Sequence, residues 1–191
     1  MTTKRMVMAA IMTVALAGLA GPARGEGTSL TLKAVYFLPT GKVFRDTYSG
    51  GPAFGADLSV PIAGALRVWA GGEFFGKSGL LPVSEDPTKV RLIPLYAGLR
   101  VQSKGKKAQA YFGAAAAYVV FHEQNVLGTV NDGGLGWLTQ AGVLARLGGS
   151  FWLDFQAGYR ACTIRKDDGG EDALEAKLDG FSAGLGLAFR F

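Results

Sequence analysis

The sequence predicts an all-β fold, a closed eight-stranded antiparallel up-and-down barrel that spans a membrane. Eight segments alternate apolar residues with small or polar ones, the period of two that marks a β-strand. The connections between these segments are alternately long and short. The last segment, residues 178–191, keeps the alternation throughout and finishes on the aromatic Phe191. A closed barrel accommodates such strands because it leaves no edge unpaired.

The predicted strands are 29–38, 53–62, 65–75, 92–102, 108–120, 137–147, 151–163 and 178–191. We expect the last of them to pair with the first and so close the barrel. Four long loops are expected, at 39–51, 76–91, 121–136 and 164–177, with three tight turns at the other end. The alanine run within 108–120 favours a helix by propensity, but its flanking aromatic residues and Gly113 favour a strand.

Residues 1–25 have the three parts of a secretory signal peptide. A basic start and an apolar run at 6–20 precede a small-x-small exit at 23–25. The run is shorter than the ~20 apolar residues that a transmembrane helix needs. We therefore expect export, and a single barrel domain at 26–191.

Removal of the signal peptide changes the charge of the chain. Without Lys4, Arg5 and Arg24, 17 basic residues stand against 15 acidic ones, which leaves a net charge of +2. This near balance predicts that nucleic acid is not a partner. Cys162 is the only cysteine, so an internal disulfide is excluded, and we expect a buried apolar role for it.

The apolar side of the strands is predicted to face lipid. In a soluble eight-stranded barrel it would line a ligand cavity, and the other side would face water. Here the other side is rich in glycine with a few large residues such as Trp69, Tyr111 and Trp152, which suits the filled interior of a narrow barrel. Aromatic residues on the apolar side fall near both strand ends, as two interfacial belts require. These are Tyr36, Phe54, Phe74, Tyr118, Trp137, Tyr159 and Phe181 toward the long loops, and Phe151, Phe189 and Phe191 toward the tight turns.

In strand number, loop alternation and its closing GLGLAFRF segment, the sequence resembles the small eight-stranded outer-membrane β-barrel family, the OmpA-like or opacity-type porin-family domains. The resemblance covers residues 28–191. It implies a location in a bacterial outer membrane, with long extracellular loops, short periplasmic turns and lipid as a partner. It also implies that the barrel-assembly machinery reads the terminal aromatic strand, which assigns Phe189 and Phe191 to an assembly signal.

Charged residues on the interior side of the strands form the candidate site. They are Lys33, Asp57, Arg67, Glu73, Arg100, Arg146, Asp154, Arg160 and Arg190. An isolated buried charge costs several kcal/mol, so we expect a network of ion pairs that fills and stiffens the barrel. The alternative is a narrow polar path for ions or small solutes.

The sequence predicts no catalytic residue, metal or cofactor. His122 is the only histidine, and no serine lies within a few residues of it, as a lipid-modifying hydrolase would need. The acidic segment 167–172 lacks the spacing of an EF-hand, so we expect a solvated loop and not a Ca²⁺ site. We expect a non-enzymatic structural or surface-interaction protein that meets an extracellular ligand through its four loops. A narrow channel or transporter and a lipid-modifying enzyme are the alternatives.

Overall fold

The computed structural model describes residues 27–80, 86–126, 128–166 and 174–191. The predicted signal peptide and the acidic segment 167–172 lie outside these residues. No helix within the described ranges is long and apolar enough to cross a membrane.

The described residues form nine strands and one short helix. The elements are β1 (Ser29–Pro39), α1 (Lys42–Tyr48), β2 (Gly51–Ala63), β3 (Leu66–Leu80), β4 (Pro87–Gln102), β5 (Ala108–Asn125), β6 (Gly128–Gly148), β7 (Phe151–Lys166), β8 (Leu174–Lys177) and β9 (Gly180–Arg190). The alanine run lies in β5, as the flanking aromatic residues predicted.

Consecutive antiparallel strands close into a ring. β9 pairs with β7, and on its other side with β1, from Ser29 opposite Arg190 to Pro39 opposite Gly180. β8 and β9 both pair with β7, one after the other along its length, and together occupy the position of the eighth strand. The predicted eight-stranded antiparallel barrel and its closure are confirmed.

The predicted loop at 121–136 is wrong, and that at 76–91 is much shorter than expected. β5 continues to Asn125 and β6 begins at Gly128, so the two strands form one long hairpin in which Asn125 pairs with Gly128. β3 and β4 likewise extend to Leu80 and from Pro87. In this extended part of the sheet one row of outward residues is polar. Arg91 of β4 pairs with His122 of β5, which pairs with Asn131 of β6. Beyond the apolar belt both faces of a strand can be polar, so the pairing continues while the apolar alternation disappears.

Two further differences concern this end of the barrel. The first predicted loop contains α1, whose Phe44 and Tyr48 lie four residues apart on one face with ring centroids 5.0 Å apart. The β3–β4 ladder is interrupted between Gly72 and Phe75, opposite Pro94, whose nitrogen has no hydrogen to donate.

The outer face of the barrel is apolar and the inner face is buried. Leu32, Phe54 and Phe112 are 61%, 60% and 59% exposed, while Lys33, Asp57 and Trp69 on the inner face are 6%, 1% and 0% exposed. This is the reverse of a water-soluble protein, in which large apolar side chains collect inside.

Aromatic side chains form two rows on the outer face of β6, β7 and β9. Ring centroids lie 5.6 Å apart for Trp137 and Tyr159 and 4.9 Å apart for Tyr159 and Phe181. Near the tight turns, the ring centroids of Phe151 and Phe189 lie 5.4 Å apart, and Phe191 stacks on Phe189 at 5.9 Å. Eight residues of β9 separate Phe181 from Phe189, about 27 Å along the strand and about 20 Å in height at the usual tilt. That height is of the order of the ~25 Å apolar band of a membrane-spanning barrel.

Candidate functional site in the barrel lumen

The inner face of β3 passes through three layers of the lumen. From the tight-turn end its inward residues are Arg67, Trp69, Gly71, Glu73 and Phe75. Arg67 lies at an open mouth, Trp69 to Glu73 belong to a central layer of charges and aromatic rings, and Phe75 belongs to an apolar layer beneath α1. Alternation along one strand thus supplies each layer with a residue of the required type.

Lys33 is the centre of the charged layer. Its Nζ lies 2.8 Å from Glu73 Oε1 and 3.3 Å from Asp57 Oδ2, and it donates to the Tyr96 hydroxyl at 2.7 Å. Glu73 also pairs with Arg160 through its second oxygen at 3.2 Å. The four charged side chains are at most 10% exposed, so two bases and two acids compensate one another away from water.

Arg100 links this cluster to a second one. Its Nη2 lies 3.8 Å from Asp57 Oδ2 and donates to Gln140 Oε1 at 2.9 Å. Its guanidinium lies 4.5 Å from the centroid of Trp69 and 4.2 Å from that of Tyr111. A planar cation between two rings is favoured by their quadrupoles, so the rings hold Arg100 in place.

Tyrosine hydroxyls complete the network. Tyr111 donates to the Asp154 carboxylate, with oxygen distances of 2.9 and 3.1 Å, and Tyr96 donates to Asp57 Oδ1. The predicted site consisted of charged residues and omitted both tyrosines. Their inward position follows from the strand alternation, but only the stagger between strands brings them against Asp57 and Asp154.

Gly71 makes room for the central layer. A Cβ at this position would collide with the Asp57 carboxylate and the Ala56 carbonyl, and would lie 2.8 Å from the Tyr96 hydroxyl. The glycine is therefore required by the close approach of these groups and not by an unusual backbone conformation.

The apolar layer closes the lumen at the end of the long connections. Phe44 and Tyr48 of α1 pack with the inward Phe37 and Phe75, and the Phe37 and Phe75 rings meet edge to face at 5.5 Å. The Tyr48 hydroxyl hydrogen-bonds with Thr88 Oγ1 at 2.8 Å, and Thr88 donates to Glu123 at 3.0 Å. Burial raises the pKa of the Tyr48 hydroxyl, which therefore stays neutral in this chain of hydrogen bonds.

The predicted charged residues divide into two groups. Lys33, Asp57, Glu73, Arg100, Asp154 and Arg160 lie in the central layer. Arg67, Arg146 and Arg190 lie near the tight-turn end, and Arg146 is exposed, with its guanidinium donating to Gly149 O at 3.3 Å. Arg146 is therefore not part of the central network. Its parity predicted an inward position, but it lies just before the Gly148–Gly149 turn, where the β6–β7 register shifts.

The remaining candidate residues lie outside the central layer. Phe189 and Phe191 are exposed on the outer face, consistent with contact to lipid. His122 Nδ1 is hydrogen-bonded to Asn131 Oδ1 across the β5–β6 hairpin. Cys162 is buried in the apolar layer with a free thiol. In the described part of the chain, no group of three His, Cys, Asp or Glu side chains is placed to hold a metal ion.

Solved structures with the same fold are small outer-membrane barrels. Neisserial surface protein A aligns at a TM-score of 0.60 with 13% identity, covering 86% of this chain and 97% of that protein. OprG from Pseudomonas aeruginosa aligns at 0.60 with 12% identity and coverages of 88% and 98%. Ail, the attachment invasion locus protein of Yersinia pestis, was crystallised with the heparin analogue sucrose octasulfate and aligns at 0.52 with 14% identity and coverages of 86% and 100%.

Neither a protein-family model nor a curated protein sequence matches the chain. The alignments with Neisserial surface protein A and OprG nevertheless cover nearly the whole length of those two proteins, so the match extends over a complete barrel. The chain has the fold of a small eight-stranded outer-membrane β-barrel.

Proposed function

We propose that this protein is a non-enzymatic barrel of the bacterial outer membrane, exported by a signal peptide, whose lumen is sealed and whose function is exerted at the cell surface. The apolar outer face and the two aromatic rows support the membrane location. The packing of the central layer is the observation that supports a sealed lumen.

Dense packing of the central layer supports a sealed lumen. Trp69, Tyr96, Asp57 and Arg100 are 0%, 1%, 1% and 2% exposed. The void beside Glu73 and Arg160 has a volume of about 10 Å³, room for about one water molecule. Above it, the apolar layer and α1 place aromatic rings across the lumen. An eight-stranded barrel is just wide enough for its own side chains to fill it, and here they do.

The β5–β6 hairpin is the surface element that supports an interaction role. β5 and β6 contain 18 and 21 residues, whereas about 9–11 residues suffice to cross a membrane. At its tip Val126 and Val130 are 61% and 37% exposed. A projecting hairpin with apolar residues at its end offers a contact surface to a ligand or a neighbouring cell. The barrel-assembly machinery is the proposed partner during insertion, through Phe189 and Phe191.

Single-channel recording on purified protein in planar bilayers tests the sealed lumen. We expect no steady openings from the wild type. A Trp69→Ala/Tyr96→Ala variant, which removes two rings from the central layer, is the positive control and should conduct. Steady openings of the wild type would contradict the proposal and favour a narrow channel.

Epitope insertion tests the surface role of the hairpin. A tag placed after Val126 should be detected by antibody on intact cells, and a tag placed after Gly105 in the β4–β5 turn should be detected only after permeabilisation. The reverse pattern would place the hairpin in the periplasm and refute a surface function.

A further inference from the structure

The lumen opens at the tight-turn end into a cavity of about 490 Å³, here called the vestibule. Arg67, Lys104, Lys106 and Arg190 line it, together with Gln102 and Gln109. No carboxylate belongs to this lining within the described residues. The vestibule is therefore a concave site with four cationic side chains, of a size that holds small molecules in other proteins.

Arg67 is a buried cation held by neutral groups. It is 7% exposed, its Nε donates to Ser59 Oγ at 2.8 Å, and its Nη2 donates to the carbonyls of Ser59 at 3.0 Å and of Gly27. Among the described residues no carboxylate lies within 4.0 Å of it. In the central layer, by contrast, Lys33 has two carboxylates and Arg160 has one.

Arg190, on β9, also lines the mouth and is separated from the strand of Arg67 by β1 and β2. Its Nη2 donates to Gln109 Oε1 at 2.9 Å, and its guanidinium lies 4.3 Å from the centroid of Trp152. Its Nε is buried without a hydrogen-bond partner. Gln109 is itself fixed by Gln102 at 2.6 Å and by Gly105 O at 2.7 Å, so the guanidinium is positioned before any ligand arrives.

The charge imbalance extends to the whole tight-turn end. Segments 59–68, 101–109, 144–153 and 187–191 contain six Arg or Lys residues and no Asp or Glu. Arg67 is the buried member of this group, whereas Lys104 and Lys106 are exposed. A buried cation without counter-charge is costly unless an anion joins it. Guanidinium groups match the oxygen geometry of phosphate, and two of them face this cavity.

We propose that the vestibule is a binding site for a phosphate group, which Arg67 and Arg190 contact and which Lys104 and Lys106 attract from solution. The group can belong to a small soluble phosphate compound or to an anionic phospholipid headgroup at the same end of the barrel. The site is separate from the sealed central layer, so its test does not depend on the conductance experiment.

The test uses inorganic pyrophosphate as the probe, with titration calorimetry on the protein in phosphatidylcholine nanodiscs at neutral pH and low salt. We expect saturable binding at one site that weakens as NaCl is raised. Arg67→Gln should weaken it about tenfold or more, since a charged hydrogen bond is lost. The double variant Lys104→Gln/Lys106→Gln should also weaken binding. Both lysines are exposed in the β4–β5 turn, so these substitutions should leave the barrel folded. Arg45→Gln, which removes an exposed arginine of α1 at the other end, is the control and should bind as the wild type does.

Repeating the titration in phosphatidylglycerol nanodiscs distinguishes the two sources. Competition by this lipid identifies a headgroup as the natural occupant, and unchanged binding identifies a soluble compound. Absence of binding, or equal weakening by Arg45→Gln, would overturn the proposal.

Glu26 directly precedes Gly27 in the sequence. Binding by a Glu26→Gln variant but not by the wild type would overturn it too, because the counter-charge would then be internal.

Discussion

Replacing Glu73 by glutamine should destabilise the barrel strongly, since the Glu73 carboxylate compensates two buried bases. Its oxygens lie 2.8 Å from Lys33 Nζ and 3.2 Å from Arg160 Nη1. Lys33 would keep Asp57 at 3.3 Å, but Arg160 would lose the only carboxylate that pairs with it among the described residues. Removing one partner of a buried ion pair costs about 3–5 kcal/mol. Because Asp57 remains beside Lys33, we expect a loss at the lower end of this range, about 3 kcal/mol.

Urea unfolding in lipid vesicles, followed by tryptophan fluorescence and linear extrapolation, measures this loss. Asp46→Asn is the control, because the Arg45–Asp46 pair is about half exposed at 3.7 Å and such pairs contribute at most about 1 kcal/mol. Adding Arg160→Met to Glu73→Gln should restore part of the stability, since the uncompensated charge is then gone. A loss below about 1 kcal/mol for Glu73→Gln, equal to that of the control, would refute a compensated central network.

Three further outcomes are expected. In the same unfolding assay, Gly71→Ala should lower the free energy of unfolding several-fold more than Gly113→Ala, because a Cβ at Gly113 has no contact closer than 3.1 Å. Equal effects would contradict the packing around Asp57. A maleimide should label Cys162 only after unfolding, since the thiol is 3% exposed in the apolar layer; rapid labelling of folded protein would show that this layer is open. Tyr48→Phe should cost about 1 kcal/mol through the lost Thr88 hydrogen bond and should speed proteolysis within α1, and an unchanged digestion pattern would argue against anchoring by Tyr48.

The strand alternation predicted the wall of the barrel because lipid on one side and a filled lumen on the other impose opposite chemistry on adjacent residues. Lys33 and Asp57, for example, could be assigned to the interior from parity alone. The same signal failed at 121–136, where the hairpin leaves the apolar belt and neither face needs to be apolar.

The sequence predicted most of the residues of the candidate site but not which of them contact one another. Ion pairs such as Glu73–Arg160 join residues 87 positions apart, and their meeting depends on strand stagger and barrel closure. The helix α1 has only seven residues, too few for a periodic pattern, and is held by tertiary contacts of Phe44 and Tyr48. The vestibule could not be predicted for another reason, since Arg67 of β3, Lys104 and Lys106 of the β4–β5 turn and Arg190 of β9 converge only when the barrel closes.

The most direct test of a lipid-embedded barrel is the state of the folded protein without detergent. Exported protein should sediment with outer membranes, require detergent for extraction, and show the change in gel mobility on boiling that resistant barrels give. We expect it to aggregate when the detergent is removed, because residues such as Leu32 and Phe54 would then face water. A folded, monomeric protein in detergent-free buffer would contradict the membrane assignment.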